Sequence, residues 1–181
     1  MSIRTLAYYS IIICLLGSCA TLKSDQFVEK QIALTKDNLE LLNGKYSRAS
    51  ITRPNRYGGD LFGNFYDRGF NIGADSLCFV DIKVIDKKHL KVNLLKEDSI
   101  IKSKVLKGKI KNGYFEMRRK KLVVPTLYLN VFRTSKFRVG LLENNNLTTD
   151  YKQISWGTGF FIIPFYEKEA EFDFEYKKYL K

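Results

Sequence analysis

From residue 44 nearly to the C-terminus, apolar and polar side chains alternate one by one, interrupted by short polar or glycine-containing stretches. A period of two sends successive side chains to opposite faces of an extended chain, so each run reads as a strand with one buried and one wet face. The clearest run is 77–85, where Cys78, Val80, Ile82 and Val84 share one face and Asp81 and Lys83 the other. Residues 89–96 repeat the scheme, with Leu90, Val92 and Leu94 against Lys91 and Asn93. Further strands are expected at 100–111, 114–120, 122–133, 136–142, 147–153 and 155–165. The links between them are short. Asp86 to Lys88 is a polar turn, Asn112-Gly113 suits the positive φ angles of a type I′ hairpin, and Asn144-Asn145-Asn146 is a second hairpin site. Parallel crossovers need about a dozen residues or more, so these links imply an antiparallel meander.

Three stretches depart from alternation. In residues 25–42, Asp25 is a capping residue and Phe27, Ile32, Leu34, Leu39 and Leu42 lie loosely at helical spacing, which predicts one or two short helical turns. Residues 53–76 interleave Pro54, Gly58, Gly59, Gly63, Gly69 and Gly73 with Tyr57, Phe62, Phe65, Tyr66 and Phe70. A loop of that length in a compact domain is a lid, a binding loop or unrecognised regular structure. Residues 167–181 mix Phe172, Phe174 and Tyr176 with charges and suit either an edge strand or a terminal helix.

About eight or nine consecutive antiparallel strands either expose two edges or close on themselves, and closure removes the edges. The fold class expected is therefore all-β, an antiparallel up-and-down barrel with a short N-terminal helix; an open two-layer sheet is the second choice. The outward positions carry Lys91, Lys107, Lys109, Arg118 and Lys120, unlike the apolar band of a membrane-spanning barrel.

The first residues form a separate unit. Arg4 precedes an apolar run at 6–16, followed by Gly17, Ser18 and Cys19. Such a run rises only about 16 Å as a helix, roughly half of a ~30 Å hydrocarbon core, and reads as an export signal. The tetrad Leu16-Gly17-Ser18-Cys19 resembles the lipobox of bacterial lipoproteins. The resemblance implies cleavage before Cys19, a diacylglyceryl thioether on its thiol and three acyl chains in all, of the palmitate type, which hold the protein firmly on its membrane. An ordinary secretory signal cut near Ala20 is the alternative. The division is then 1–18 signal peptide, 19–24 lipidated tether and 25–181 a single domain, long enough for one core.

The sequence Leu42-Asn43-Gly44-Lys45-Tyr46 resembles the opening of calycin or lipocalin-like barrels, in which a Gly-x-Trp starts the first strand and the ring plugs the closed end; Tyr46 stands where Trp would be. Joined to a lipobox, the pattern is similar to small lipoproteins of the Bacteroidota type. That likeness implies a lipid-anchored protein of the bacterial cell envelope. An outer membrane is favoured where there is one, because Ala20 is not the aspartate that retains some lipoproteins at an inner membrane.

Composition narrows the chemistry. Lys and Arg number 31 against 19 Asp and Glu, a net charge of +12. A basic exported protein meets anionic lipid head groups, cell-wall polymers or lipopolysaccharide, and nucleic acid is not expected as a partner. Of three cysteines only Cys78 would remain a thiol, so no intrachain disulfide is expected, and Cys78 reads as a small apolar residue on an inward strand face. His89 is the one histidine, which precludes a histidine-based metal cluster, and no Gly-x-Ser-x-Gly elbow accompanies it. The pairs Glu97-Asp98 and Asp60 with Asp67 are of the type that does acid/base work, but sequence spacing alone does not show them converging. Gly58-Gly59 lacks the Lys-Ser/Thr of a phosphate loop. Neither an enzyme nor a cofactor is expected.

Two sets of residues are candidates for binding. Tyr57, Phe62, Phe65, Tyr66, Trp156 and Phe160 could line a pocket for a small apolar ligand. Arg118, Arg119, Lys120 and Lys121 form a basic run suited to lipid head groups or an acidic partner. The leading expectation is a membrane-anchored, non-catalytic binding module with room for a small apolar ligand. The alternative is an envelope assembly lipoprotein that engages another protein or a polysaccharide through a basic surface. Packing separates them, since an interior filled by side chains leaves no ligand site.

Overall fold

The computed structural model describes residues 30–54, 59–66, 78–126, 129–159 and 163–179, with the backbone alone at 120–126, 129 and 159. The chain is all-β, with every strand pairing antiparallel. Eleven strands are described: β1 Gln31–Ile32, β2 Gly44–Ser47, β3 Cys78–Asp86, β4 His89–Lys96, β5 Ser99–Lys107, β6 Lys109–Lys111, β7 Tyr114–Thr126, β8 Leu129–Leu142, β9 Leu147–Gly159, β10 Ile163–Tyr176 and β11 Lys178–Tyr179. One sheet has the order β10-β9-β8-β7-β6, with β1 beside the end of β8; the other has the order β11-β2-β3-β4-β5.

The alternation seen in sequence builds one core between these sheets. Val80, Ile82, Leu90, Val92 and Leu94 come from the second sheet, and Phe115, Met117, Phe137, Val139 and Tyr151 from the first. The hairpin at Asn112-Gly113 has the positive φ values expected, 50° and 75°. Gly113 also packs against Ala33, where a Cβ would lie 3.3 Å from the Ala33 Cα.

Several expectations change in detail. The breaks expected near 121, 134 and 154 do not exist, because β7, β8 and β9 run straight through them as strands of 13, 14 and 13 residues. A cluster of charges does not end a strand when its residues point alternately to both faces, as Arg118 and Arg119 do. The helical spacing at 25–42 yields only a 3-10 turn at Leu39–Leu42, and Ile32 instead pairs with Leu141 in β1. Residues 25–29 lie outside the described part. The closing stretch is strand, where β10 shifts register between Glu171 and Phe174 and then leads through Lys177 into β11.

The glycine-aromatic stretch contains a short helix, α1, Leu61–Tyr66. Asp60 caps it, its Oδ1 accepting from the Gly63 amide at 3.1 Å, while its Oδ2 accepts from Arg48 Nη2 at 2.6 Å. Phe62 and Phe65 enter the core, Phe65 meeting Phe137 edge-on at 5.1 Å between centroids. At the C-terminal end of α1, β5 and β7 belong to different sheets, and the helix bridges them. Lys104 Nζ on β5 donates to the Phe65 carbonyl at 3.4 Å, and Arg119 on β7 donates to the carbonyls of Asn64 and Phe65.

Opposite this seam, residues 47–52 run along β10 and β11. The amides of Ser47 and Ile51 donate to the carbonyls of Lys177 and Glu175 at 2.8 Å each.

Candidate functional site

Register fixes which side chains share the outer face of the larger sheet. Leu122, Phe132, Trp156 and Tyr166 stand directly opposite one another on β7, β8, β9 and β10. Phe132 and Trp156 stack at 4.4 Å with their planes 12° apart. They are 40% and 44% exposed, and Tyr166 is 66% exposed. Aromatic rings are normally buried to remove their large apolar area from water, so three neighbouring rings left in solvent are a candidate interaction surface. Ile163 is 62% exposed, but alternation along β10 puts it on the face opposite Tyr166.

Behind this aromatic row lie the positions of Lys120, Thr134, Ile154 and Lys168, and then those of Arg118, Lys136, Lys152 and Ala170. Beyond the aromatic row come Asn130, Thr158 and Pro164. No carboxylate occupies any of these rows; Glu167, Glu169 and Glu171 alternate to the other face of β10. The Lys152 ammonium is held below its ordinary value, first by burial and then by the neighbouring charge of Lys168. Carboxylates return to the outer face in the next row, where Glu116 accepts from Arg118 at 3.2 Å and Asp150 from Arg138 at 2.5 Å.

The structure divides the residues singled out in sequence. Phe62 and Phe65 are packed in the core, and Tyr66 packs against it, held by the Phe62 ring at 4.9 Å and by its hydroxyl donating to the Ser103 carbonyl at 3.5 Å. Trp156 faces outward, away from these three. Tyr57, Phe160 and Cys19 lie outside the described residues. The basic run is split by alternation, with Arg118 turned outward to Glu116 and Arg119 inward to the end of α1. Lys120 and Lys121 are placed by their backbone in β7.

The chemical candidates have structural roles. His89 Nδ1 lies 2.8 Å from Asp86 Oδ2 at the β3–β4 turn, and the imidazole hydrogen bond is what chiefly holds the Asp86 carboxyl below the usual range. Glu97 and Asp98 form the β4–β5 turn with positive φ, and Asp98 accepts from Lys45 at 2.6 Å. Asp60 is the α1 cap, and Asp67 lies outside the described residues. Cys78 is a buried free thiol. Among the described residues no group of three or more His, Cys, Asp or Glu could hold a metal ion, and no helix is long and apolar enough to cross a membrane.

Phe132, Tyr166 and Lys168 are the residues that the sequence reading missed. Their signal is register, which becomes legible only when 129–142 and 163–176 are read as single long strands and aligned with β9. Comparison with known proteins adds no relative, since no family model, curated protein or solved structure gives a significant match to the chain.

Proposed function

We propose that this chain is a membrane-anchored lipoprotein of a bacterial envelope whose β domain is a non-catalytic interaction module, engaging its partner on the outer face of the larger sheet. The observation that carries this reading is the exposed row Phe132, Trp156 and Tyr166. The space between the sheets at α1 is taken up by Phe62, Phe65, Phe137, Tyr151 and Tyr176, all buried, which favours an external surface over an internal ligand. Anchoring rests on the lipobox-like Leu16-Gly17-Ser18-Cys19.

We read the domain as a flattened calycin-like barrel. In support, β5 leads through Gly108 into β6, and β10 leads through Lys177 into β11, so the two sheet orders are joined at both ends by bent strands. Tyr46, at the position of the family's tryptophan, is fully buried, its hydroxyl donating to the Leu42 carbonyl at 3.0 Å and Lys178 lying 5.5 Å from its ring centre. Burial raises the Tyr46 hydroxyl well above the ordinary tyrosine value, so it remains a donor.

The test places a photoreactive residue at Tyr166 or at Lys83, an exposed outward position on β3, in the anchored protein in whole cells. Crosslinks from 166 and none from 83 are expected. Equal yields, or a stoichiometric apolar passenger released from the purified protein, would favour another surface or the interior. The anchor is checked separately, since Cys19→Ala should abolish incorporation of labelled fatty acid.

A further inference from the structure

We propose that the inner face of the larger sheet, toward the end away from β1, carries a binding site for an organic carboxylate, with Arg133 and Ser155 as its donors. The site lies on the reverse of the outer aromatic row and does not depend on that row being an interaction surface.

Register sets the inner rows as it sets the outer ones. Met117, Phe137 and Tyr151 form one row and belong to the core. Arg119, Ser135, Gln153 and Glu169 form the next, and Arg119 ends on α1. The row after that contains Arg133, Ser155 and Glu167, with Lys121 placed beside Arg133 by its backbone. Val131, Gly157 and Phe165 follow, and then Ile163. From Arg133 outward none of these residues belongs to the core cluster. β7 to β10 run to 13 or 14 residues, whereas no strand of the second sheet exceeds nine, so the larger sheet extends past the shared core. Same-face rows are about 7 Å apart, which sets Arg133 one step beyond the row that meets α1.

A polar ladder climbs β9 through these rows. The Tyr151 hydroxyl donates to Gln153 Oε1 at 2.5 Å, and Gln153 Nε2 donates to Ser155 Oγ at 3.3 Å. Each link uses an acceptor of the next residue, so the hydroxyl of Ser155, a residue only 2% exposed, keeps its proton to donate onward. Directly across the strand pair, Arg133 Nε is buried without a hydrogen-bond partner among the described residues. Side chains so paired have Cβ atoms about 5 Å apart, and two donors therefore adjoin with no acceptor between them. A buried donor left unsatisfied costs stability and calls for a partner from outside the chain. For a guanidinium beside a hydroxyl that partner is an oxyanion.

The surroundings select among oxyanions. Glu167 flanks Ser155 on β10 and is exposed, and Glu169 stands one row behind, so a second negative charge on the ligand is repelled. Val131, Phe165 and the exposed Ile163 offer apolar contact toward the end of the sheet. A carboxylate on an apolar body suits both features, whereas a phosphate monoester, close to doubly charged at neutral pH, does not.

Benzoate, benzyl alcohol and phenyl phosphate are titrated calorimetrically into the full chain in a neutral detergent. Benzoate is expected to bind, phenyl phosphate to bind more weakly, and benzyl alcohol not to bind. Arg133→Met should weaken benzoate roughly tenfold or more, and Arg133→Lys should recover part of the loss. Glu167→Gln should improve phenyl phosphate more than benzoate. Without ligand, Arg133→Met should melt no lower than wild type, because Nε gives up no bond within the chain.

A lower Tm in that variant would show that the guanidinium is satisfied inside the protein and would overturn the proposal. So would equal binding of benzoate and benzyl alcohol, benzoate binding unchanged in Arg133→Met, or no binding of either anion, which would leave a buried water as the partner of Nε. Tighter binding of phenyl phosphate would overturn the assignment to a carboxylate. The crosslinking test of the outer face is read separately from all of these.

Discussion

Arg119 reaches inward from β7 to donate to the main-chain carbonyl of Phe65, the residue whose own ring packs against Phe137 in the core. A second bond from the same guanidinium goes to the Asn64 carbonyl at 3.2 Å. The last carbonyls of a helix have no partner within it, and in a helix of six residues those orphans are a large share of the total. Arg119 therefore holds α1 in the seam between the sheets.

Arg119→Met should cost about 1–3 kcal/mol, because it removes the donor to the Asn64 carbonyl and leaves the Phe65 carbonyl only the longer bond from Lys104. Arg119→Lys should recover only part of this, since one ammonium lacks the planar fork that spans both acceptors. Urea unfolding of the three proteins measures the effect, and an unchanged midpoint in the methionine variant would show that α1 is held by Lys104, Arg48 and its aromatic side chains without Arg119.

Arg138 and Asp150 make a paired charge on the outer face, their side chains 7% and 2% exposed, with the guanidinium 4.1 Å from the Tyr114 ring centre. Removing one partner strands the other charge out of water, so Asp150→Ala should cost about 3–5 kcal/mol. Arg138→Met/Asp150→Ala should cost less than Asp150→Ala alone, because the double variant leaves no isolated ion. Denaturant midpoints of the two singles and the double decide this; additive losses would mean that the pair is solvated in practice.

The sequence made the core strands legible because their partners lie nearby and their pattern is strict. Val80 and Ile82 face Leu94 and Val92 across a single tight turn, and the Asn112-Gly113 hairpin follows from local chemistry alone. What could not be read depended on distant residues. α1 exists through Arg119, Lys104 and Arg48, none of them local to it except through the fold. A six-residue helix has too few internal hydrogen bonds to be stable by itself, so its propensity signal is lost among glycines. The aromatic face was hidden for a related reason. Phe132, Trp156 and Tyr166 come from three strands, and only their register makes them one surface.

Gly157 sits beside Trp156 in β9 where β8 crosses closely. A Cβ at Gly157 would lie 1.8 Å from the Asn130 carbonyl oxygen and 3.1 Å from the Val131 Cα. Both obstacles are backbone, so they cannot turn aside as a side chain can. Gly157→Ala should force β8 and β9 apart, at about 1–3 kcal/mol or more. Because Trp156 is the neighbour, its fluorescence should change in the folded state as well. An alanine variant with wild-type emission and midpoint would mean that the strands separate there at no cost.

Asp173 carries a pH-dependent strain. It lies at the β10 register shift with φ +69°, its amide donates to Asp150 Oδ1 at 3.0 Å, and its own Oδ1 is buried without a hydrogen-bond partner among the described residues. Burial raises its carboxyl above the usual range, Asp150 raises it further, and Arg53 and Arg138 offset part of the shift. Between the ordinary carboxylate value and the raised one, the folded state holds more protons than the unfolded state, so this residue's contribution to stability falls as pH rises through that window. At neutral pH the charged form is a net cost. Asp173→Asn removes the charge and still tolerates the left-handed backbone, so it should stabilise the protein at pH 7. After allowance for partial exposure the gain should be under about 1 kcal/mol, or up to about 3 °C in Tm. The difference between variant and wild type should shrink as pH falls through the raised value and vanish below the ordinary carboxylate range. Thermal unfolding of both proteins from pH 7 to pH 3 measures it, and a gap independent of pH would show that the charge of Asp173 is not its origin.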